Sequence, residues 1–394
     1  MKIDLFQMER TQCLYENQVR YNLSESGVTP VSVEELVDAP EMRSDLFSQR
    51  LGYPPAGGSE TLRANIAEFY GTTPANIRVT NGSSEANFMQ FWGLLETGDR
   101  AAIMIPNYLQ TRGLARHFVG KADEYRLVME KDGASKRWAL DIDSLHRAVH
   151  KRTKIILVTN PNNPTGSTLN ESEIKEIVRT AGKVGAWIVA DEVYRGAELT
   201  NKTTGSFYGR YERVLITSGL SKAFGLPGLR IGWIAGPAKM VSKLESYHDY
   251  LTLTPTMLSE RLACIATGSE KRELLLQRTR TILRAQLPVV ESWVRNNQPT
   301  VDWVPPHAGA IALLSYHSAI SSTKLFDRLR TEKSVLITPA AHFGLNGSYF
   351  RIGYGYDRSK LEKGLEIIST FLKDIARERR RGERSEKASK GGSA

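Results

Sequence analysis

Three short polar segments carry the side chains of this sequence that are best suited to catalysis. They read NPNNPTG at residues 160–166, DEVY at 191–194 and SGLSK at 218–222, and each ends a run of β-branched and apolar residues that predicts a strand. Taken singly, each has an ordinary structural explanation as a turn, a helix cap or a solvated lysine. Together they bring an amide, a carboxylate, a phenol and an amine, which are groups of acid–base and nucleophilic catalysis. Because ligands bind outside the carboxyl ends of strands in an open parallel sheet, we expect the segments to line one pocket.

A fourth segment is suited to binding an anion. It reads TNGSSEAN at residues 80–87 and runs from a strand through Gly82 into a helix that is predicted to begin near Ser84. The first N–H groups of a helix have no partner inside it, and the helix dipole places positive charge there. We therefore predict that Gly82, Ser83 and Ser84 bind a phosphate group, with Arg230 as a charged partner.

The elements that must position these segments alternate along the chain. Strands are predicted at 77–80, 101–106, 155–160, 186–191, 213–219 and 230–236. Apolar residues at helical spacing predict helices over 84–95 and 171–184. Strands that alternate with helices predict an α/β fold with a mainly parallel sheet that is covered on both faces.

The last third of the chain has a different pattern. A mostly helical run extends from about Pro255 to Asn297, and strand signals (VDWVP, SVLITP and SYFRIGYG) then mix with helices at 323–331 and 360–376. We predict a large α/β domain over 42–275 and a smaller α+β domain built from 1–41 and 276–376. The tail, 377–394, has seven basic and three acidic residues and no large apolar side chain, so we predict that it is disordered.

Composition narrows the classes of protein that fit. The chain has 394 residues, 41% of them hydrophobic, which excludes a disordered, collagen-like or disulfide-stapled protein. Cys13 and Cys264 are too far apart in sequence to indicate a metal or redox pair, and we expect no metal. Without a signal peptide or membrane-length apolar run, we expect a cytoplasmic protein. The net charge of +10 comes in good part from the tail, so it does not favour nucleic acid.

The segment 219–232, GLSKAFGLPGLRIG, resembles the active-site signature of the class I/II aminotransferases, which are pyridoxal-phosphate (PLP) enzymes of fold type I. The matching positions are Gly219, Ser221, Lys222, Gly225, Gly228, Arg230 and Gly232. The similarity extends from about Tyr21 to about Leu372, with its landmarks in the order and spacing of the family. It implies a fold type I transferase, pyridoxal 5'-phosphate as cofactor, and a homodimer with shared active sites.

The resemblance also implies roles for single residues. Lys222 forms a Schiff base with the cofactor aldehyde and then carries protons as general base and acid. Asp191 faces the pyridine nitrogen and keeps it protonated, which makes the ring an electron sink. Tyr194 and Asn163 donate hydrogen bonds to the phenolic oxygen of the cofactor, and Tyr108 stacks on its ring.

Further roles concern the phosphate and the substrate. Tyr53 matches a tyrosine that reaches the phosphate from the neighbouring subunit, and Ser221 belongs to the phosphate-binding set. Arg351, in YFRIGYG, matches the arginine that binds the substrate α-carboxylate, with Asn163 beside it. Ser24 falls near the N-terminal segment that closes over the substrate.

One position departs from the family pattern. Many relatives carry a serine three residues before the lysine, where this chain has Gly219. Either Ser218 or Ser221 substitutes for it, or one phosphate contact is absent.

The stretch 246–256, SYHDYLTLTPT, indicates which class of substrate is used. Relatives that act on dicarboxylic amino acids often present a second arginine from the partner subunit near this stretch, and here His248, Asp249 and Tyr250 stand instead. An acidic side chain would repel aspartate or glutamate, so we predict a neutral or basic amino donor. The alternative is that Asp249 only caps or pairs locally.

Three activities are compatible with these residues. The first is amino transfer from an L-amino acid to a 2-oxo acid. The second is β- or γ-elimination or replacement with cyclisation. The sequence of the signature segment resembles the branch of the family that contains capreomycidine-synthase-like enzymes. The third, a PLP-sensing regulator, needs a DNA-binding domain, and no helix-turn-helix pattern precedes Tyr53.

Overall fold

The computed structural model describes residues 3–132, 135–318 and 320–391. The helices are α1 Gln7–Tyr15, α2 Val33–Leu36, α3 Pro40–Ser48, α4 Glu60–Tyr70, α5 Ser83–Leu94, α6 Gln110–Val119, α7 Ile142–Ala148, α8 Glu171–Val184, α9 Ala238–Glu245, α10 Met257–Thr267, α11 Ser269–Asn296, α12 Ser322–Lys333 and α13 Arg358–Gly391. The strands are β1 Tyr21–Asn22, β2 Ile77–Thr80, β3 Arg100–Ile105, β4 Ala122–Asp132, β5 Ser135–Leu140, β6 Thr153–Thr159, β7 Trp187–Asp191, β8 Val214–Gly219, β9 Gly232–Ala235, β10 Val301–Trp303, β11 Ile311–Tyr316, β12 Val335–Leu336, β13 Thr338–Pro339 and β14 Tyr349–Gly353.

An eight-stranded sheet forms the centre of the fold, in the order β2-β9-β8-β7-β6-β3-β4-β5. The pairs from β8 to β4 are parallel, whereas β9 runs antiparallel to both β2 and β8, and β5 runs antiparallel to β4. Strands β2, β8, β7, β6 and β3 therefore end at the same edge. This arrangement confirms the predicted α/β fold with a mainly parallel sheet.

The sheet is buried on both faces, which explains the unbroken apolar runs in its strands. In β6, Ile156 and Val158 pack into one apolar cluster, and Ile155 and Leu157 pack into another. Side chains alternate between the faces of a strand, so the two clusters lie on opposite sides of the sheet. Helix α8, which the sequence predicts over 171–184, begins with a capping box between Asn170 and Glu173.

A second sheet follows in the chain, with the antiparallel order β10-β11-β14-β13. The N-terminal segment 21–28 packs against it, because the N–H of Gly353 in β14 donates to the carbonyl of Leu23 (2.8 Å). In the same segment, β1 pairs with β12 to form a separate two-stranded sheet. Helix α11 is continuous across the predicted domain boundary at 275/276. The boundaries of the two domains remain a prediction.

Two parts of the chain differ from the sequence prediction. The hairpin β4–β5 and strand β11 are additional strands; β4 is rich in charged residues because it pairs near the end of the sheet, where one face meets solvent. Helix α13 continues through Gly391, whereas the sequence predicts disorder over 377–394; residues 392–394 lie outside the described residues. Arg and Glu are good helix formers, and Glu378 pairs with Arg328 of α12 (3.1 Å), which favours the helix.

Two searches of the described residues concern membranes and metals. None of their helices combines the length and the apolar character that a membrane crossing requires. No group of three or more His, Cys, Asp or Glu side chains among them is arranged to hold a metal ion.

The packing of segment 21–28 on β14 can be tested at Gly353. A β-carbon there would overlap the carbonyl oxygen of Glu25, so Gly353→Ala must push the segment away from the strand. We expect a loss of about 2 kcal/mol or more in the free energy of unfolding, measured by urea denaturation. Gly113→Ala is the control, because a β-carbon at that position of α6 meets no atom within 4 Å. It should raise the free energy of unfolding by about 0.5–1 kcal/mol, and equal midpoints for the two variants would contradict the packing argument.

Candidate active site

A cavity of about 360 Å³ opens at the edge where the parallel strands end. The structure brings nine of the predicted site residues to its wall: Ser83, Ser84, Tyr108, Asn163, Asp191, Tyr194, Ser221, Lys222 and Arg230. They lie at the ends of β2, β3, β6, β7 and β8 or in the segments that follow these strands. Convergence at one edge thus follows from the direction of the strands.

One end of the cavity is built to hold an anion. The N-cap residue of helix α5 is Gly82, which offers no side-chain cap, unlike the N-cap residues of α4 and α8, so the first N–H groups of α5 are left for a ligand. Gly82 has a φ of +89°, and a β-carbon on it would overlap Nη2 of Arg230. The guanidinium of Arg230 also donates to the hydroxyl of Ser221 (3.3 Å). Positive charge and free donors therefore meet at one place.

A buried ion pair braces this end of the cavity. Glu85, in the first turn of α5, accepts a hydrogen bond from the N–H of Asn81 (2.5 Å) and lies 3.2 Å from Nε2 of His248. The other ring nitrogen of His248 bonds to the carbonyl of Ala56 (2.9 Å). Burial alone would lower the pKa of His248, but the hydrogen bond and charge of Glu85 outweigh it and raise the pKa. The pair holds the turn before α5 in place.

The amine of Lys222 lies in the middle of the cavity wall. Its Nζ donates to the hydroxyl of Ser26 (2.8 Å), and the carbonyl of Ser26 accepts from the hydroxyl of Tyr194 (3.1 Å). Burial lowers the pKa of Lys222, an effect that the negative charges of Glu9 and Glu25 oppose. A lysine with a lowered pKa has a larger neutral fraction and is a better nucleophile and base.

The carboxylate of Asp191 lies at the end of β7 and is only 6% exposed. Burial raises its pKa to about 6, while the N–H of Val193 (3.2 Å), the side chain of Asn87 and the charge of Lys222 act in the opposite direction. No cation among the described residues forms an ion pair with Asp191. A buried carboxylate in this position favours a cationic ligand.

Arg351 lies behind the cavity wall rather than on it, and it is completely buried. It donates to Oδ1 of Asn163 (3.1 Å), to the carbonyl of Ser24 (2.5 Å) and to the hydroxyl of Thr338 (3.3 Å). Burial lowers its pKa. The described residues provide hydrogen bonds for this guanidinium but no carboxylate partner.

The remaining predicted residues take other positions. Tyr53 is 85% exposed and does not line the cavity of its own chain. Ser24 is buried, its hydroxyl donates to Asn22 (2.7 Å), and only its carbonyl serves Arg351. Asp249 is exposed in the short helical turn 248–250 and is not part of the cavity wall.

The departure at Gly219 has a steric reason. A β-carbon at this position would lie 2.9 Å from the carbonyl oxygen of Ile231 on the neighbouring segment, so a serine does not fit here. The hydroxyl of Ser218 points to the carbonyl of Glu192 (3.4 Å), away from the cavity. Of the two candidate substitutes, only Ser221 lines the cavity.

Sequence reasoning missed six residues of the wall, namely Glu9, Ser26, Asn87, Thr159, Val193 and Pro227. Asn87 could have been found, because it lies one helical turn after Ser83 and so faces the same way. Thr159 and Val193 adjoin predicted segments. Glu9 and Ser26 carry no local signal, because tertiary packing alone brings the N-terminal segment to the cavity.

The chain is similar to known proteins over most of its length. The family model described as aminotransferase class I and II matches residues 14–368. Capreomycidine synthase of Streptomyces vinaceus is 33% identical over 83% of this chain and 82% of its own length. An aspartate aminotransferase of Pyrococcus abyssi is 25% identical over 82% of this chain and 84% of its own.

Solved structures agree with these matches. A PLP-dependent aminotransferase of Streptococcus suis has a TM-score of 0.87 at 28% identity, and covers 95% of this chain and 99% of its own. The PLP-dependent cyclase OrfR has a TM-score of 0.84 at 25% identity, covering 95% and 98%. Two findings agree: a buried lysine lies beside an anion site at this sheet edge, and the family model matches nine-tenths of the sequence. The chain belongs to the class I and II aminotransferase family, whose cofactor is pyridoxal 5'-phosphate.

Proposed function

We propose that the protein moves an amino group from an L-amino acid to a 2-oxo acid, with Lys222 as the residue that holds the cofactor and carries the proton. The observation that supports this most directly is the position of Lys222, which lines the same cavity as the anion site at Ser83 and Arg230 and the buried carboxylate of Asp191. An amine, an anion site and a carboxylate in one cavity match the aldehyde, the phosphate and the ring nitrogen of PLP.

The residues present fit the cofactor on two further observations. The uncapped end of α5 and the guanidinium of Arg230, which packs against Gly82, suit a phosphate, since a β-carbon at position 82 would displace Arg230. Asp191 lacks a cation among the described residues, and a protonated ring nitrogen would supply one. When bound, the cofactor withdraws electrons from the α-carbon of the substrate and so stabilises negative charge there.

The protein side of the reaction follows from the same contacts. Lys222, with its lowered pKa, takes the α-proton at Nζ, and the hydroxyl of Ser26 holds that nitrogen in position. Arg351 binds the α-carboxylate, because a buried guanidinium without a carboxylate partner gains most from one. Tyr194 and Asn163 provide hydrogen-bond donors on the wall between these groups.

The cations at the cavity support a neutral or basic amino donor. Lys222 and Arg230 line the described wall, and Arg351 lies behind it. The proposed roles assign Arg230 to the phosphate and Arg351 to the α-carboxylate. No further cation among the described wall residues is left for the second carboxylate of aspartate or glutamate. Asp249 could act on the partner's cavity, where the resemblance places this stretch.

A second reaction, cyclisation or elimination on the same scaffold, is favoured by the similarity to capreomycidine synthase and to the cyclase OrfR. The groups at Lys222, Asp191 and Tyr194 serve both outcomes, because both begin with loss of the α-proton. The distinction lies in the fate of the amino group.

We also propose a homodimer. The segments 47–56 and 248–253 are joined by the hydrogen bond from His248 to the carbonyl of Ala56, and both expose large apolar side chains. Phe47 is 89%, Tyr53 85% and Tyr250 80% exposed. Exposed apolar patches on soluble proteins mark interaction surfaces. A partner on this face would bring Tyr53 to the neighbouring cavity.

A half-reaction tests amino transfer. Added amino acid alone should bleach the visible absorbance of the lysine-bound cofactor, and a 2-oxo acid should restore it. Recovery without a 2-oxo acid, with release of ammonia or a cyclic product, would establish the second reaction instead. Lys222→Ala should show neither the starting band nor turnover, whereas the exposed Lys239→Ala should behave as wild type. Turnover by Lys222→Ala would refute the assignment of this lysine.

The raised pKa of Asp191 predicts a pH-dependent stability. In the unfolded chain this carboxyl loses its proton near pH 4, but in the folded protein it does so only near pH 6. The free energy of unfolding of the cofactor-free protein therefore falls as pH rises from about 4 to about 6. Asp191→Asn removes this charge. We expect the variant, free of cofactor, to be more stable than wild type by up to about 3 kcal/mol at pH 7 and about equal near pH 4. Urea denaturation at the two pH values measures the difference, and a less stable variant at pH 7 would contradict the prediction.

The dimer is tested by charge insertion. Phe47→Asp should sediment as a monomer of 44.0 kDa, because the charge must be buried against the partner. Leu274→Asp is the control, since Leu274 is also exposed but lies on α11, outside the two segments. If both variants are dimers, the interface lies elsewhere. If the wild-type protein is a monomer, the proposed dimer is excluded.

A further inference from the structure

The first turn of helix α1 brings a carboxylate to the cavity that the proposed reaction does not use. Glu9 lines the cavity, and its Oε1 accepts a hydrogen bond from the hydroxyl of Tyr108 (3.0 Å). No lysine, arginine or histidine of the described residues forms an ion pair with it. Glu9 and Asp191 are thus two carboxylates on the described wall without a paired cation, and the ring nitrogen of the cofactor accounts only for Asp191.

Helix α1, which carries Glu9, is held in place by contacts near both of its ends. Phe6 packs edge-on against the ring of Tyr108, with 4.7 Å between the ring centroids, and Met8 is buried. At the other end of α1, the guanidinium of Arg330 lies 4.0 Å from the ring centre of Tyr15. A positioned carboxylate can form a directional, charge-assisted hydrogen bond with a ligand.

The field of Glu9 extends over the reacting groups. Its charge opposes the lowering of the pKa of both Lys222 and Arg351, and it raises the pKa of Tyr108 together with burial. A second carboxylate, Glu25, acts on Lys222 and Arg351 in the same way from a neighbouring cavity that Glu16 also lines. Glu9 on the cavity wall and Glu25 in the neighbouring cavity thus both place negative charge near Lys222 and Arg351.

We infer that Glu9 binds a cationic side chain of the amino donor, an ammonium or a guanidinium, and thereby sets the substrate class. This inference rests on the proposed function and narrows the neutral or basic donor to a basic one. Oε2 is the atom that would accept the hydrogen bond, because Oε1 is engaged with Tyr108. An acidic donor would meet repulsion from Glu9, and a neutral donor would leave its charge without a partner.

Arginine and citrulline provide the test, because their side chains have nearly the same shape and differ in charge. For wild-type holoenzyme, we expect kcat/KM of the half-reaction to be about 10- to 100-fold higher with arginine than with citrulline. Glu9→Gln should lower kcat/KM for arginine by about the same factor and leave that for citrulline within about twofold. Ornithine and lysine in the same assay distinguish an ammonium from a guanidinium partner. Glu16→Gln, which removes the same charge two turns along the chain and outside the site cavity, should keep the preference.

Binding without chemistry gives an independent readout. The des-amino analogues of arginine and citrulline keep the carboxylate and the side chain but cannot react, and calorimetry on the holoenzyme measures their Kd. The charged analogue should bind about 10-fold or more tightly to wild type, and the two should bind equally to Glu9→Gln.

The outcomes separate the two proposals. Equal losses for arginine and citrulline in Glu9→Gln would mean that Glu9 only orients Tyr108 or tunes Lys222, and would overturn the inference. No preference for arginine in wild type would overturn it as well. Failure of every amino acid to change the cofactor absorbance would refute the proposed function, while the calorimetric comparison would still decide whether Glu9 selects a cation.

Discussion

Asp191 and Arg351 carry charge into the interior, and neither has an ion-pair partner among the described residues. Uncompensated buried charges cost free energy unless a ligand of opposite charge occupies the site. A protonated ring nitrogen beside Asp191 and a substrate carboxylate beside Arg351 would relieve these costs. The site is therefore organised around the charges of its ligands, and binding and stability are coupled through them.

The rest of the structure keeps these charges from pairing with each other. Asp191 ends a central strand of a sheet that is packed on both faces, and Arg351 lies on β14 of the second sheet. Neither strand can shift without disrupting close-packed layers. Hydrogen bonds from Val193 to Asp191 and from Arg351 to Asn163 and Ser24 fix the orientation of each group without neutralising it. The rigid strands thus keep Asp191 and Arg351 apart, whereas a more flexible chain would allow the two charges to pair.

The sheet-edge part of the site could be predicted from sequence because it is local. Asn163, Asp191 and Lys222 each follow a strand within a few residues, so strand direction alone places them on one edge. The contact from Lys222 to Ser26 joins residues 196 positions apart, and no periodicity or motif encodes it. For Tyr53, the predicted role needs a second subunit, and a single chain shows only its exposure. The helical tail was missed because composition alone does not distinguish a charged helix from a charged coil.

The strand-end residues and the N-terminal segment also differ in the roles proposed for them, which are catalysis and substrate selection. In the proposed function, residues at the ends of the strands of the large sheet serve the proton transfer and the cofactor, whereas the N-terminal segment faces the substrate. Two contacts of that segment, to Arg351 and to Tyr194, use the backbone carbonyls of Ser24 and Ser26, so they do not depend on side-chain identity. Glu9 contributes a side chain, and a substitution there changes the charge at the cavity wall without replacing Lys222 or a residue of the anion site. If Glu9 selects the substrate as proposed, a scaffold of this kind can keep its cofactor site while its substrate class changes through the N-terminal segment.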